Sequence, residues 1–132
     1  FTPWQAERSI IRWNEQKSIK GVQRWQAIAT EAMKQSHQAW IPEVREFSKN
    51  LDFEISGQLI VLDPDAKQTL TSLEFSDELT LVVGPEGGIS DAELDYLSAR
   101  GALKASLGNS VFRTSTAAPA AISTIRTLVG WG

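Results

Sequence analysis

The 132-residue sequence contains no cysteine, one histidine and no long apolar run. The absence of cysteine excludes disulfide scaffolds, thiolate nucleophiles and zinc sites built on thiolates. Because His37 is the only histidine, a site of several imidazoles or a Ser-His triad is disfavoured, and we expect no metal. No apolar segment approaches the roughly 20 residues of a membrane span. These absences favour a cytoplasmic protein that does not associate with membranes.

Two nucleotide-binding motifs are also missing. The dinucleotide fingerprint Gly-x-Gly-x-x-Gly does not occur. The glycine-rich segment at residues 84–88 is not followed by Gly-Lys-Ser/Thr, so it is not a P-loop.

The charge is distributed unevenly. The formal net charge of -3 argues against a free-standing nucleic-acid binder. Residues 1–50, however, carry eight basic side chains against five acidic ones, whereas residues 51–132 carry five against eleven. The basic half is either an electrostatic footprint for a polyanion or a solvated helix face.

Apolar patterning predicts an α/β fold in one domain, residues 1–132. Strands are predicted at residues 9–13, 39–44, 59–62, 79–83 and 103–107, and helices at residues 20–36, 90–100 and 116–129. Strands that alternate with helices predict a mostly parallel sheet with helices on both faces. The first helix has one apolar face, formed by Val22, Trp25, Ile28, Ala29 and Ala32. Gly101 is expected to close the second helix, and Pro119 is expected within the first turn of the third.

The most informative segment joins the strand at residues 79–83 to the next helix through residues 84–88, here called the glycine loop. In α/β proteins, ligands bind beyond the carboxyl ends of parallel strands. Glycines in such a loop adopt backbone angles closed to other residues and allow a ligand to touch the main chain. Ser90, with Glu93 three residues later, predicts a capping box at the helix start. A tight structural turn is the alternative interpretation.

Two other strand ends carry unusual loops, Leu62-Asp63-Pro64 and residues 107–114. The second contains a glycine turn, two large apolar residues and an arginine before a helix start. Backbone amides at a helix start are spare donors for a carboxylate or carbonyl. Apolar walls and main-chain hydrogen bonds, without a metal or an activated nucleophile, fit an adenine-bearing cofactor that supplies its own reactivity.

The glycine loop Gly-Pro-Glu-Gly-Gly, followed by Leu107-Gly108-x-x-Val111-Phe112-Arg113-Thr114-x-Thr116-Ala117, resembles the cofactor loops of RsmE-type methyltransferases in the SPOUT superfamily. The resemblance extends upstream and covers nearly the whole chain in the right order. The matching upstream segments are Glu7-Arg8-Ser9, Arg24-Trp25, Glu31-Ala32-x-Lys34-Gln35-Ser36 and Ile41-Pro42-Glu43-Val44.

The resemblance implies a C-terminal trefoil knot, a rare exception to unknotted topology. It implies S-adenosylmethionine (SAM) as methyl donor and N3 of a uridine in small-subunit (16S) ribosomal RNA, free or in the assembled subunit, as acceptor. It also implies a homodimer that pairs through the last helix. The alternatives are a SPOUT ribose 2′-O-methyltransferase, or a cofactor-binding RNA-interaction module without turnover. The Gln35-Ser36 segment and the Thr-Ser-Thr stretch favour the branch that methylates a base.

The resemblance also assigns residues. The expected cofactor-binding residues are Leu62, Gly84, Pro85, Glu86, Gly87, Gly88, Leu107, Gly108, Val111, Phe112, Arg113 and Thr114. Arg113 and Glu86 are the expected catalytic residues, and the expected RNA contacts are Arg8, Arg12, Arg24, Lys34 and Gln35. Glu86 either compensates the sulfonium charge or organises its loop. Arg113 either faces the RNA or the target uracil, or pairs with an acid such as Asp63.

Several features depart from the family pattern. Ser115 replaces an acidic residue between the two threonines, and Gln38 replaces an arginine, which removes a phosphate contact. We expect the family's N-terminal PUA-like barrel, together with the first strand and helix of the methyltransferase domain, to lie outside this chain. The tryptophans Trp13, Trp25, Trp40 and Trp131 either stack on bases or belong to a core or interface, and His37 is expected at the surface rather than as a general base.

Overall fold

A computed structural model describes residues 1–130 of the chain. The chain divides into two compact units, Phe1–Phe53 and Glu54–Gly132. Trp131 lies outside the described residues.

The main element of the first unit is a helix, α1 (Glu15–Gln35). Its N-cap is Asn14, whose side-chain oxygen accepts a hydrogen bond from the Lys17 N–H at 2.9 Å. Because this cap satisfies the first turn, the helix begins at Glu15, five residues before the predicted residue 20. No residue of α1 is buried in the chain, and Trp25 and Ile28 on its predicted apolar face are 43% and 57% exposed.

The strand predicted at residues 9–13 is wrong. Ile10 and Ile11 are 88% and 73% exposed, and the Ser9 N–H donates to the Ala6 carbonyl in a turn. An apolar run forms a strand only where a neighbouring strand satisfies its backbone and covers a face. Residues 9–13 have no such neighbour in the described chain.

The strand predicted at residues 39–44 is also wrong, because a helix side chain satisfies its backbone instead. The Gln26 amide nitrogen donates to the Pro42 carbonyl at 3.0 Å, and the Gln26 amide oxygen accepts from the Val44 N–H at 2.8 Å. The segment is therefore held to α1 as an irregular chain.

The second unit contains the parallel sheet. Its strands are β1 (Gln58–Leu62), β2 (Leu79–Val83) and β3 (Leu103–Ala105), in the order β2-β1-β3. Every pairing is parallel, and Leu62 lies opposite both Val83 and Ala105. The predicted α/β class is confirmed, with three of the five predicted strands present. The register places the carboxyl ends of the three strands at one level.

Strand β3 is shorter than predicted because Ser106 pairs elsewhere. The Ser106 N–H donates to the Gln68 carbonyl at 2.9 Å, and its carbonyl accepts from the Leu70 N–H at 2.8 Å. These bonds hold the chain after β3 against the segment that follows β1. A short 3-10 helix, Leu70–Ser72, begins there.

The core of the second unit lies between the sheet and a helix, α3 (Thr114–Val129). Its buried members are Ile60, Leu70, Ala105, Ala121 and Ile125. Leu59 and Val61 point to the opposite face of β1 because side chains alternate along a strand, and both are also buried. Strand β1 is thus enclosed on both faces, as its continuous apolar run indicates.

Two helix boundaries bear on the glycine loop. Helix α2 (Asp91–Ala99) begins at the predicted capping box, with the Ser90 N–H donating to the Glu93 carboxylate at 2.8 Å and the Glu93 N–H donating to the Ser90 hydroxyl at 3.3 Å. Gly101 follows α2 with φ +87°, as predicted. Helix α3, in contrast, starts two residues earlier than predicted, so Pro119 lies inside the helix and not in its first turn.

The capping box gives a stability prediction. Ser90→Ala removes a hydroxyl that accepts from the Glu93 N–H, so the free energy of unfolding should fall by about 1 kcal/mol. Ser98→Ala, at an exposed position of the same helix, is the matched control and should stay within about 0.5 kcal/mol of wild type. Urea unfolding measures both. Equal stability of the two variants would contradict a stabilising role of the Ser90 hydroxyl as the N-cap of α2.

Candidate functional site

Three loops emerge at one edge of the sheet, beyond the carboxyl ends of β1, β2 and β3. They are Leu62-Asp63-Pro64, the glycine loop and residues 107–114. The parallel register brings the last residues of the three strands, Leu62, Val83 and Ala105, to the same level. This edge is where α/β proteins bind ligands, and the sequence predicted the same three loops.

The glycine loop is folded tightly back on itself. The Gly88 N–H donates to the Pro85 carbonyl at 2.8 Å, and Gly88 has φ +76°, a left-handed conformation that favours glycine. A Cβ atom at Gly84 would lie 2.5 Å from Cγ1 of Ile89, which is buried. Glycine is therefore required at 84 by the packing of the loop itself.

The loop after β1 is fixed by backbone and side-chain bonds. The Asp63 N–H donates to the Ala105 carbonyl at 3.0 Å, and the Asp63 carboxylate accepts from the Asp65 N–H at 3.0 Å. Leu62 is half-buried and packs on the core. This loop is a formed turn in which Pro64 is exposed and Leu62 is directed to the core.

The loop after β3 is the most open of the three. Gly108 has φ +115°, and a Cβ placed there would meet nothing within 4 Å. Val111 is 79% exposed and Phe112 is 40% exposed, although both are large apolar side chains. Leu107, in contrast, packs on the core. The loop therefore offers open space beside accessible apolar groups.

The start of α3 reaches the glycine loop. The Thr114 hydroxyl donates to the Gly84 carbonyl at 3.2 Å, which links the second and third loops. The first hydrogen bonds of the helix run from the Thr116 and Ala117 N–H groups to the Arg113 carbonyl. In an α-helix the N–H groups before these have no partner within the helix, so those of Thr114 and Ser115 are spare donors.

The two predicted catalytic side chains, Arg113 and Glu86, are exposed. Within residues 1–130, the ion pair considered between Arg113 and Asp63 is not formed. The same residues contain no group of three His, Asp or Glu side chains able to hold a metal ion. No helix in this range is long and apolar enough to cross a membrane.

The residues predicted to contact RNA lie in the first unit, and all are exposed. The Arg12 guanidinium donates to the Glu7 carbonyl at 2.9 Å, and Lys34 forms a surface ion pair with Glu31 at 2.8 Å. Arg24 and Gln35, which are 11 residues apart on α1, share one helix face. RNA binding by Arg8 and these residues stays a prediction.

The aromatic residues of the first unit have different environments. Trp13 is half-buried and packs against Trp25 and Phe47, with ring centroids 6.0 Å and 5.3 Å away. Trp40, in contrast, is 84% exposed. Trp13 therefore has a packing role. His37 is exposed with φ +52°, in agreement with a surface position.

Comparison with known proteins agrees with this arrangement. The family model of the RNA methyltransferase domain matches residues 1–126. The chain belongs to this family. The resemblance stated from the sequence is thus confirmed by a match that covers both units.

Several curated relatives carry one name. Ribosomal RNA small subunit methyltransferase E of Mycobacterium bovis is 35% identical to this chain, with 97% of the chain and 53% of the relative covered. The Bacillus subtilis protein of the same name is 32% identical, with 95% and 54% covered. The chain thus spans about half the length of the curated relatives it matches.

Solved structures of the family are also similar. The ribosomal RNA small subunit methyltransferase E of Neisseria gonorrhoeae, bound to S-adenosyl methionine, superposes with a TM-score of 0.87 at 30% identity and covers 99% of this chain and 55% of its own. A Legionella pneumophila methyltransferase in complex with its cofactor SAM gives a TM-score of 0.81 at 30% identity, with 96% and 54% covered.

Proposed function

We propose that this chain carries the SAM-binding domain of an enzyme that methylates uridine N3 in small-subunit ribosomal RNA. The observation that carries the proposal is the meeting of three loops at the carboxyl edge of a parallel sheet, in a chain of the RNA methyltransferase domain family. The names of its relatives and the SAM bound in two similar structures support the substrate and the cofactor.

The residues at this edge fit the cofactor. The open space at Gly108 and the exposed apolar side chains of Val111 and Phe112 suit an adenine nucleoside. The spare N–H groups at the start of α3 are donors for a carboxylate. Glu86, on the glycine loop, is an exposed carboxylate that would compensate the sulfonium charge of the bound cofactor. When bound, SAM supplies a methyl group that is already activated for transfer.

The protein then has two tasks. It positions the two reactants, and it stabilises the charge that develops during the reaction. Alignment of the acceptor with the methyl group provides most of the rate gain in such a displacement. Uridine N3 carries a weakly acidic proton, which passes to water or hydroxide from the solvent, and the uracil ring that it leaves is anionic. The Arg113 guanidinium stabilises this anion. N3 lies on the Watson–Crick edge, so the target uridine is unpaired and turned out of its stack.

RNA affinity comes partly from the first unit. Arg8, Arg12, Arg24 and Lys34 are exposed cations that contact phosphates, and Gln35 provides a polar contact. Such contacts release counterions, so binding weakens steeply as salt rises. We assign the rest of the RNA affinity to the family's N-terminal barrel. We also propose that the enzyme acts in the cytoplasm, where ribosomes are assembled.

The proposal includes the SPOUT topology, with helices on both faces of the sheet and a trefoil knot in the second unit. Two contacts support the knot. Ser106 is hydrogen-bonded between Gln68 and Leu70, and Thr114 is hydrogen-bonded to Gly84. The chain after β3 thus lies against the segment at residues 68–70 that follows β1 and against the glycine loop, as a threaded segment requires.

Nucleosides from small-subunit ribosomal RNA test the reaction. In a strain that lacks the gene, mass spectrometry should show the loss of 3-methyluridine, and its return on complementation. Loss of a ribose-methylated nucleoside would assign the chain to the 2′-O-methylating branch. An unchanged nucleoside profile would favour a module without turnover, an alternative suggested by Ser115 in place of the family's acidic residue.

We further propose a homodimer that pairs through α3, in which both subunits build each active site. Two alanines of this helix, Ala117 and Ala121, are buried in the chain's own structure and are not available to a partner. Ile122 and Leu128 are 42% and 51% exposed and offer apolar surface for a partner.

Light scattering at micromolar concentration, with SAM present, should report a dimer. Ile122→Glu should convert it to a monomer and lower methyl transfer, because an unpaired charge in an apolar interface is costly. A wild-type monomer under these conditions would count decisively against the proposal.

A further inference from the structure

The Thr114 hydroxyl makes the one side-chain bond in residues 1–130 that joins the loop after β3 to the glycine loop. It donates to the Gly84 carbonyl at 3.2 Å across 30 residues of sequence, and the pair is half-buried. Thr114 is the first residue of α3, and its neighbour Arg113 is the N-cap. The bond therefore fixes the start of α3 relative to Gly84.

The other anchors of the glycine loop are local. Gly84 follows the last residue of β2 and packs under Ile89, and the capping box at Ser90 fixes the far end of the loop. These contacts hold the loop to its own strand and helix. They do not set its distance from Val111, Phe112 or Arg113, which belong to the loop after β3.

We propose that Thr114 is a positioning residue. Its hydrogen bond to the Gly84 carbonyl, here called the tie, fixes the position of the glycine loop relative to the loop after β3. The inference rests on the proposed function, and it changes the role expected for Thr114. Its hydroxyl hydrogen is directed to the Gly84 carbonyl and is therefore not available to the cofactor, so the side chain acts through the position of the glycine loop. The bond also sets where Arg113 stands relative to the loop.

Thr114→Val tests the tie because it keeps the branched shape and removes the hydroxyl. We expect SAM to bind roughly three- to tenfold more weakly, as for the loss of one neutral hydrogen bond. Amide hydrogen exchange across residues 84–89, measured without cofactor, should become faster. Thr114→Ser keeps the hydroxyl and should restore both the affinity and the slow exchange.

Thr80→Val is the matched control. Thr80 is also half-buried, and its hydroxyl donates to a backbone carbonyl, that of Ser56, at 2.9 Å, but it lies near the start of β2, away from the loops. This variant should leave SAM affinity and the exchange of residues 84–89 unchanged. Equal acceleration in Thr80→Val and Thr114→Val, or no rescue by Thr114→Ser, would overturn the tie.

The exchange measurement separates this inference from the proposed function. If wild-type protein does not bind SAM, the proposed function fails, while faster loop exchange confined to Thr114→Val still supports the tie. If wild-type protein binds SAM and Thr114→Val behaves like wild type in both measurements, the tie is wrong and the proposed function stands.

Discussion

Gly88→Val should weaken SAM binding by at least about a hundredfold, which corresponds to roughly 2.7 kcal/mol. Gly88 has φ +76°, a conformation that a β-branched residue adopts only with strain. A valine there would either distort the turn closed by the Gly88 N–H and the Pro85 carbonyl, or place methyl groups where the ligand approaches the main chain. Isothermal titration calorimetry measures the change.

Two further variants separate the effect of backbone strain from the effect of a side chain that occupies the space of the ligand. Gly101→Val introduces the same strain at φ +87°, where a Cβ meets nothing within 4 Å, outside the three loops. It should lower stability and leave SAM affinity unchanged. Gly87→Val should also weaken SAM binding, and since Gly87 is not in the left-handed region, this loss would not come from left-handed strain. Wild-type affinity in both loop variants would remove the glycine loop from the cofactor site.

Arg113→Ala should lower kcat for methyl transfer by about 10²–10³-fold, the usual effect of removing a group that stabilises developing negative charge. Arg113 is exposed at the N-cap of α3 and is not paired with Asp63. SAM affinity should change little, because the Arg113 side chain is assigned to the anion of the base, whereas the spare N–H groups offered to the cofactor are those of Thr114 and Ser115. Single-turnover kinetics with saturating cofactor separates the chemical step from binding.

Arg113→Lys should recover part of the rate, because it keeps the charge but not the planar fork of donors. Arg100→Ala is the control, since it removes an exposed arginine of the same unit whose guanidinium lies 5.7 Å from the Tyr96 ring, and it should leave kcat unchanged. An unchanged kcat in Arg113→Ala would mean that another residue stabilises the anion of the base. A loss confined to SAM affinity would make Arg113 a cofactor ligand only.

The sequence predicted the sheet well where the pattern is local. The apolar runs that became β1 and β2 stop at turn residues, and the Ser90–Glu93 spacing gives the start of α2. The three strand-end loops follow from those elements, because parallel strands end at the same edge of the sheet. The candidate site could therefore be located without a structure.

Contacts between distant residues could not be predicted in the same way. Gln26 makes two hydrogen bonds to the backbone of a segment 16 to 18 residues away, and this segment does not form the predicted strand. The tie between Thr114 and Gly84 spans 30 residues, and nothing local to either residue indicates it. Asn14, in contrast, was a readable helix signal, and attention to it would have placed the start of α1 correctly.

Transfer of a labelled methyl group tests the central claim most directly. The product of the complete gene is incubated with methyl-labelled SAM and small ribosomal subunits that lack the modification, and the RNA is then digested to nucleosides. We expect the label in 3-methyluridine, and at least about a hundredfold less of it with Arg113→Ala. Label in a ribose methyl group, or no label although SAM binds, would contradict methylation of uridine N3 by this protein.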